Sequence, residues 1–501
     1  MIEAYSRRQL IGLFAGPVVF VLLLLLPVPG GLKPEAYRVM VVAVLMATWW
    51  VTEAIPIPAT ALLPIALFPT LGVMPSNSAT SPYANHLIYL FLGGFFIAMT
   101  MEKWNLHKRI ALYTIRLVGT SPNRIVLGFM LATAFLSMWI SNTATAMMMV
   151  PIALAVINQA ARTIQEGGED IDVRPGKFRF GMALMLGIAY SASIGGVGTI
   201  IGTPPNTIMV GVIEKTFGVQ VSFAAWMAVG VPLSVVMLVA TWYYLTRIAF
   251  KIKIKELPGG RELILRQIRE LGPMKREEKS ILAVFLFVSI SWILRGFLHI
   301  PDIALMHDST IAVIGALMLF VIPSNLAQGR FLLDWETAKK VPWDVILLFG
   351  GGLSLAHGFA VTGLAQWIGE QLTSISGAPM LVMIFVVVFV TIFLTEITSN
   401  TATATMLMPI LASTAVAMAI HPYGLMVGAG IAASYAFMLP IATPPNAVVF
   451  GSGYVTIPQM AKAGFWVNLA ASVLITLFIY FYLPWVWNLD LGNLPLWAQP
   501  K

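Results

Sequence analysis

The chain has 501 residues, of which 58% are hydrophobic and only 10% charged, where a soluble chain would carry roughly a quarter charged residues. That balance points to a polytopic α-helical membrane protein, with apolar segments too long for barrel strands. Zero cysteines exclude disulfides, thiolate metal sites and thiol nucleophiles, and the net charge of +8 reflects orientation in a bilayer rather than nucleic-acid binding.

Arg7-Arg8 followed by Leu10 to Pro29 resembles a signal peptide. No small-x-small cleavage site follows and the apolar run is full length, so it is read as the first span. Further spans are expected near 37–54, 57–74 and 86–102. The basic amphipathic stretch Lys103 to Leu117 is expected along the membrane interface. Residues 125–160 are apolar but interrupted at Ser141-Asn142-Thr143. The arms of about 16 and 14 residues reach roughly 21–24 Å each, short of the ~30 Å hydrocarbon core. With Arg124 and Arg162 outside both ends, this reads as a re-entrant hairpin from the cytoplasmic side. A polar loop (Glu166 to Lys177), a broken helix (178–216), a span at 222–248 and a charged cytoplasmic connector (247–279) follow.

The second half repeats this order. It has spans near 280–298 and 309–323, an amphipathic connector (Leu333 to Val341) and a span near 343–360. A second hairpin (380–420), a broken helix (424–451) and a final span (463–487) complete it. Phe91-Leu92-Gly93-Gly94 returns as Leu348-Phe349-Gly350-Gly351, and Ser141 to Ala146 returns letter for letter as Ser399 to Ala404. Gly202-Thr203-Pro204-Pro205-Asn206 returns as Ala442-Thr443-Pro444-Pro445-Asn446. With one extra span at the N-terminus, the second unit is expected upside down relative to the first, giving about eleven transmembrane helices in two inverted repeats. Placing the N-terminus in the cytoplasm leaves only Lys33, Arg38, Lys215, Arg295 and Lys501 of the 30 Lys and Arg residues outside. That bias puts the C-terminus outside and the second hairpin on the outer face.

Ser, Asn and Thr are poor in helix interiors and good at helix ends. At each hairpin tip one arm ends and the next begins. The second arm's free N–H groups and positive dipole end can receive a carboxylate, and the first arm's free carbonyls with side-chain oxygens can hold Na+. Pro after Thr203 and Thr443 marks both threonines as N-caps of half-helices. The two motif pairs therefore describe one binding site assembled from two halves, with helix N-termini offsetting the cost of burying a dianion.

On these paired Ser-Asn-Thr and Thr-Pro motifs, across nearly its whole length, the chain resembles the divalent-anion:sodium symporter (DASS) family, carriers of dicarboxylates, citrate or sulfate. The resemblance implies a homodimer in the bilayer of the inner (plasma) membrane, with elevator-type alternating access. It implies scaffold helices at 1–85, a first transport half at 86–221 and scaffold again at 222–342. A second transport half at 343–462 and a final helix with an outer tail at 463–501 complete the division. It implies a first Na+ site at Ser137, Ser141, Asn142 and Gly202, and a second at Thr395, Thr398, Asn400 and Ala442, with Thr398 serving through its backbone carbonyl. Substrate carboxylates would meet Asn142, Thr143, Thr203, Pro204, Ser399, Asn400, Thr401, Thr443 and Pro444.

Other residues carry weaker signals. Glu396, an ionisable group in a hairpin arm, is either functional or bonded within the hairpin. Glu53 is expected at the interface, His357 as a neutral packing residue, and Lys251 to Lys279 as a solvated segment near anionic headgroups. The leading function is Na+-coupled symport of a small dianion into the cytoplasm, a C4-dicarboxylate such as succinate, with citrate and sulfate left open. A Na+-independent exchanger is the alternative within the class, disfavoured because no Lys, Arg or His replaces an assigned cation ligand. A channel needs an open polar pore, whereas the polar groups here sit at closed tips. An intramembrane enzyme is disfavoured because HExxH, a paired-Asp motif and a Ser/His/Asp set are missing from the sequence.

Overall fold

The computed structural model describes residues 5–119, 121–166, 171–252, 260–297, 307–372 and 378–499. Lys501, part of the 166–177 loop and part of the basic connector lie outside them. Among the described residues the chain is helical apart from one short antiparallel pair, Pro323–Asn325 with Arg330–Phe331.

The first half runs α1 (Arg7–Leu25), α2 (Pro34–Thr52), α3 (Leu63–Thr70), α4 (His86–Lys103) and the amphipathic α5 (Leu106–Val118). A helical hairpin follows, α6 (Pro122–Ser137) and α7 (Asn142–Glu166), then the broken helix α8 (Arg179–Gly196) and α9 (Pro204–Phe217), then α10 (Phe223–Tyr243). After α11 (Gly260–Leu271), the second half runs α12 (Arg276–Phe297), α13 (Asp308–Val321), α14 (Trp343–Thr362) and α15 (Leu364–Leu372). The hairpin α16 (Met380–Thr395) and α17 (Asn400–Ala417), the broken helix α18 (Pro422–Ala432) and α19 (Pro444–Gly451), and α20 (Ile457–Leu477) complete it. Hairpin and broken helix thus occur twice in the same order.

Three differences from the sequence reading have local causes. The span at 57–74 is two short helices, Ile57–Thr60 and Leu63–Thr70, because Pro64 has no N–H to give the Thr60 carbonyl and so begins a new helix. The connector at Leu333–Val341 holds only the turn Trp335–Ala338, started by Asp334 accepting from Thr337 N at 2.7 Å. The amphipathic helix of the second half is instead α15, which follows α14 after Gly363 in a left-handed conformation, as α5 follows α4. In addition, α7 has 25 residues, so the second arm is a full-length helix that continues well past its Pro151.

The packing crosses the two halves. Each hairpin's first arm lies on the first segment of its own broken helix, α6 on α8 and α16 on α18. Each broken helix's second segment lies on the other hairpin's second arm, α9 on α17 and α19 on α7. Neither half can build its binding surface alone. Buried apolar side chains fill the space between these helices, including Phe129, Met185, Tyr190, Met209 and Phe437. The outward faces of α1, α10 and α16 stay apolar and exposed, through Phe14, Leu22, Val235, Val239, Val386 and Val390. Exposed apolar stripes on helices this long belong against lipid.

Candidate functional site

Both hairpin tips and both helix breaks open into one cavity of about 1020 Å³. It is lined by Ser141, Asn142, Thr143, Gly202, Thr203 and Pro204 from the first half and by Ser399, Asn400, Thr401, Ala442, Thr443 and Pro444 from the second. All nine expected substrate-contacting residues meet there. Its mouth carries Glu53, Glu102, Lys103, Lys340 and Asp344. Glu53 has a left-handed backbone (φ 52°) and pairs with Arg8 at 3.1 Å. Lys103 reaches Asp334 at 2.5 Å, and that contact holds the exposed Asp334 carboxyl down at about 2.

Thr203 and Thr443 are the N-caps of α9 and α19, with extended backbone at φ −147° and −143°. Neither hydroxyl caps its own helix. Thr203 Oγ1 meets Ser434 Oγ at 3.2 Å, and Thr443 Oγ1 is buried without a partner. Because Pro follows each Thr twice, the first turns have few N–H groups to satisfy and the hydroxyls are free for other work. Ser141 Oγ accepts from Ala144 N at 3.2 Å and so caps α7 at the first tip.

Behind each tip a hydroxyl, an Asn carboxamide and backbone carbonyls converge. Asn142, with its amide nitrogen turned toward them, donates to Ala192 O at 3.1 Å and Gly202 O at 3.3 Å and lies against Ser137 Oγ. Ser137 Oγ also donates to Ala192 O at 2.7 Å. In the second half Thr395 Oγ1 lies 2.7 Å from Asn400 Oδ1 and 3.1 Å from Ala433 O, one proton for two acceptors. Convergent oxygens of this kind are stabilised either by the amide turned over to donate its N–H groups or by a cation. Oxygen-only surroundings suit a hard monovalent ion.

The expected residues Ser137, Asn142 and Gly202 come together in the first cradle, and Thr395 and Asn400 in the second. Ser141 is engaged as a cap. The Thr398 hydroxyl is turned away, bonded to Leu394 O at 2.9 Å and Thr403 Oγ1 at 2.5 Å, which leaves its carbonyl as the group it can offer. The carbonyls of Ala192 and Ala433 belong to the cradles and were not foreseen, since an alanine carbonyl has no residue-type signature. Asn206 and Asn446 were also unassigned. Their amides tie the breaks, Asn206 to Thr199 O at 2.8 Å and Asn446 to Ala436 O and Leu439 O, each at 3.0 Å. The repetition of Asn after both Thr-Pro-Pro strings was the available signal.

The basic connector is not simply solvated. Arg109 on α5 pairs with the buried Glu278 at 2.8 Å and donates to Gly272 O at 3.0 Å, so the connector's end is docked on α5.

Two hairpin tips and two helix breaks around a cavity, with oxygen cradles behind them, define a membrane carrier. The family model described as "Sodium:sulfate symporter transmembrane region" matches residues 7–489. The chain belongs to that family, the divalent-anion:sodium symporters, and is a transporter rather than an enzyme. It is 49% identical over 499 residues to the "Sodium-dependent dicarboxylate transporter SdcS" of Staphylococcus saprophyticus, covering 99% of this chain and 95% of that one. The proteins of the same name from Staphylococcus aureus strains RF122 and USA300 are 48% identical over 498 residues, with the same coverage. Among solved structures, the Alcanivorax borkumensis YdaH transporter shares the fold with a TM-score of 0.56 at 12% identity, covering 90% of this chain and 99% of that one. Neisseria gonorrhoeae MtrF gives 0.54 at 12% identity, covering 94% and 98%.

Proposed function

We propose that the protein is a Na+-coupled symporter that carries a small divalent anion, a C4-dicarboxylate such as succinate, into the cytoplasm across the plasma membrane. The observation that carries this reading is the repeated convergence of a hydroxyl, an Asn carboxamide and backbone carbonyls, Ser137–Asn142–Ala192–Gly202 and Thr395–Asn400–Ala433, directly behind each tip that faces the shared cavity. The relatives' printed name, sodium-dependent dicarboxylate transporter, supports both ion and substrate.

In this reading Na+ enters each cradle and fixes the Asn carboxamide, so that the Asn N–H groups, Thr143 and Thr401 face the cavity as donors. The two substrate carboxylates are held at opposite sides, one by Thr143 with Thr203 and the other by Thr401 with Thr443. Dehydrated negative charge is balanced by helix N-termini and by the bound cations rather than by a fixed Lys or Arg at the tips. A substrate recognised at its ends must match the span between the halves, so chain length should govern selection among dicarboxylates.

Lys103 and Lys340, which line the cavity, come from segments assigned to the cytoplasm, and this supports reading the cavity as open to that side. The segments 86–221 and 343–462, which carry the two hairpins and broken helices, form the moving body, and 1–85 and 222–342 form the scaffold of a homodimer. Inverted repeats let the same body present the cavity to either side by elevator movement. Inward net charge adds about 2.3 kcal/mol of driving force per charge per 100 mV.

Uptake of labelled succinate into proteoliposomes, in Na+ against choline, tests the coupling. Uptake should require Na+, with more than one ion per dianion. Equal uptake in both media would replace symport with Na+-independent exchange. Fumarate and malate should compete with succinate; strong competition by citrate or sulfate with no succinate binding would assign the same carrier to another dianion.

A further inference from the structure

Glu396 is where the two halves part. Counted from the Ser-Asn-Thr strings, it holds the place that Met138 holds in the first hairpin, and each directly follows the cradle hydroxyl, Thr395 or Ser137. Its side chain is only 3% exposed. Oε1 accepts from Phe437 N at 2.6 Å, Met438 N at 2.9 Å and Asn468 Nδ2 at 2.7 Å, while Oε2 accepts from Leu439 N at 3.1 Å. Four donors converge on one carboxyl group. None of the ion pairs among the described residues includes it. An all-donor setting favours the ionised form. A buried carboxylate held by neutral N–H groups alone retains a large desolvation cost, which a nearby cation offsets.

In the first half the same mechanical job is done by neutral groups. Thr199 Oγ1 donates to Met138 O at 2.5 Å and accepts from Gly202 N at 3.0 Å, joining hairpin to helix break. In the second half the joined segment, 437–439, lies between Ala433, whose carbonyl faces Thr395 Oγ1, and Ala442, which lines the cavity. Whatever fixes that segment fixes both flanking backbone groups against the tip. Asn468 extends the same bond network to α20.

We infer that Glu396 is an ionised positioning residue for the second cation cradle. It holds the segment from Ala433 to Ala442 against the hairpin tip and supplies a fixed negative charge that the first cradle lacks. The two cradles, similar in their neutral ligands, are therefore unequal, and the second binds Na+ more tightly. This rests on the reading of the cradles as Na+ sites given above. A carboxylate that only stapled the hairpin to the break would affect stability and leave the Na+ requirement where it was.

The test is the Na+ dependence of succinate uptake by the full-length protein in proteoliposomes, at saturating succinate. Glu396→Gln keeps the side chain's size and removes its charge. It should raise the Na+ concentration for half-maximal uptake by about tenfold, the order expected for one charge acting through a partly buried medium. Uptake should persist once Na+ is raised to saturation. Glu396→Asp, which retains the charge on a shorter arm, should fall between this variant and the wild type. Asn468→Ala keeps the charge and removes one of the four donors; it should shift half-maximal Na+ by about threefold, the net worth of one hydrogen bond. If Glu396→Gln does not fold, Asn468→Ala decides by the same readout. Variants that melt earlier yet activate at the wild-type Na+ concentration overturn the proposal in favour of a staple. A wild-type protein indifferent to Na+ overturns the cradle reading itself, and that result appears before any variant is made.

Discussion

Thr203 Oγ1 lies 3.2 Å from Ser434 Oγ, so the cap of one broken helix touches the break of the other. Both residues are buried. When Thr203 donates to a substrate carboxylate, Ser434 can donate to Thr203 and hold it in that orientation. Ser434→Ala should therefore raise the succinate concentration for half-maximal uptake by about three- to tenfold, the order of one lost hydrogen bond, with maximal rate retained. Thr203→Val, which removes the donor itself, should cost more. A concentration series of initial uptake rates checks both.

Asn142 and Asn400 each stand five residues after a hydroxyl that meets their carboxamide. Each amide serves a cradle on one side and the cavity on the other, so removing either should disable transport without unfolding the protein. Asn142→Ala and Asn400→Ala should reach the membrane at normal levels and lose uptake. Wild-type transport by both variants would remove these residues from the site.

Much of this arrangement was legible in the sequence because a membrane helix tolerates a polar string only for a reason. Ser141 to Ala146 and its copy at 399–404 marked both tips, and Thr-Pro-Pro-Asn marked both breaks. What was not legible follows from the same physics. The carbonyls of Ala192 and Ala433 act through backbone, which any residue carries. The helix α15 lacks the long apolar run of a span, with Gln366, Glu370 and Gln371 among its nine residues. The length of α7 was hidden because its last turns, from Asn158 through Arg162 to Glu166, are polar and look like the end of an apolar arm, yet the helix continues through them. The crossing of α9 onto α17 and of α19 onto α7 depends on tertiary packing that no local pattern states.

His421 provides a pH-dependent test of the second broken helix. It caps α18, its Nδ1 accepting from Tyr423 N at 3.2 Å, and burial pushes its imidazole down to about 4. The neutral ring is therefore the folded form, because a protonated Nδ1 cannot accept. A group lowered from 6.5 to about 4 contributes stability that is full above pH 6.5 and is lost as pH falls toward 4. The melting temperature of the detergent-solubilised protein should fall across that window. In His421→Asn, whose amide oxygen can take over the cap without titrating there, the fall should be shallower.

The closest test of the first cradle is a single methyl group. A Cβ at Gly196 would stand 2.7 Å from the Asn142 carboxamide and 3.0 Å from Gly202 O, both of them groups of the cradle. Carbon cannot approach oxygens that closely without moving them, and the Gly202 carbonyl is backbone with little freedom to yield. Overpacking at such a site costs about 1–3 kcal/mol, which expressed as lost affinity is roughly 5- to 150-fold. Gly196→Ala should therefore raise the Na+ requirement by that order and diminish the rise in melting temperature that Na+ gives the wild-type protein. Gly451→Ala, where an added Cβ meets nothing within 4 Å, is the matched control at the end of α19 and should keep the wild-type Na+ response. If Gly196→Ala instead activates at the same Na+ concentration as wild type, the oxygens gathered around Asn142 do not hold the coupling ion.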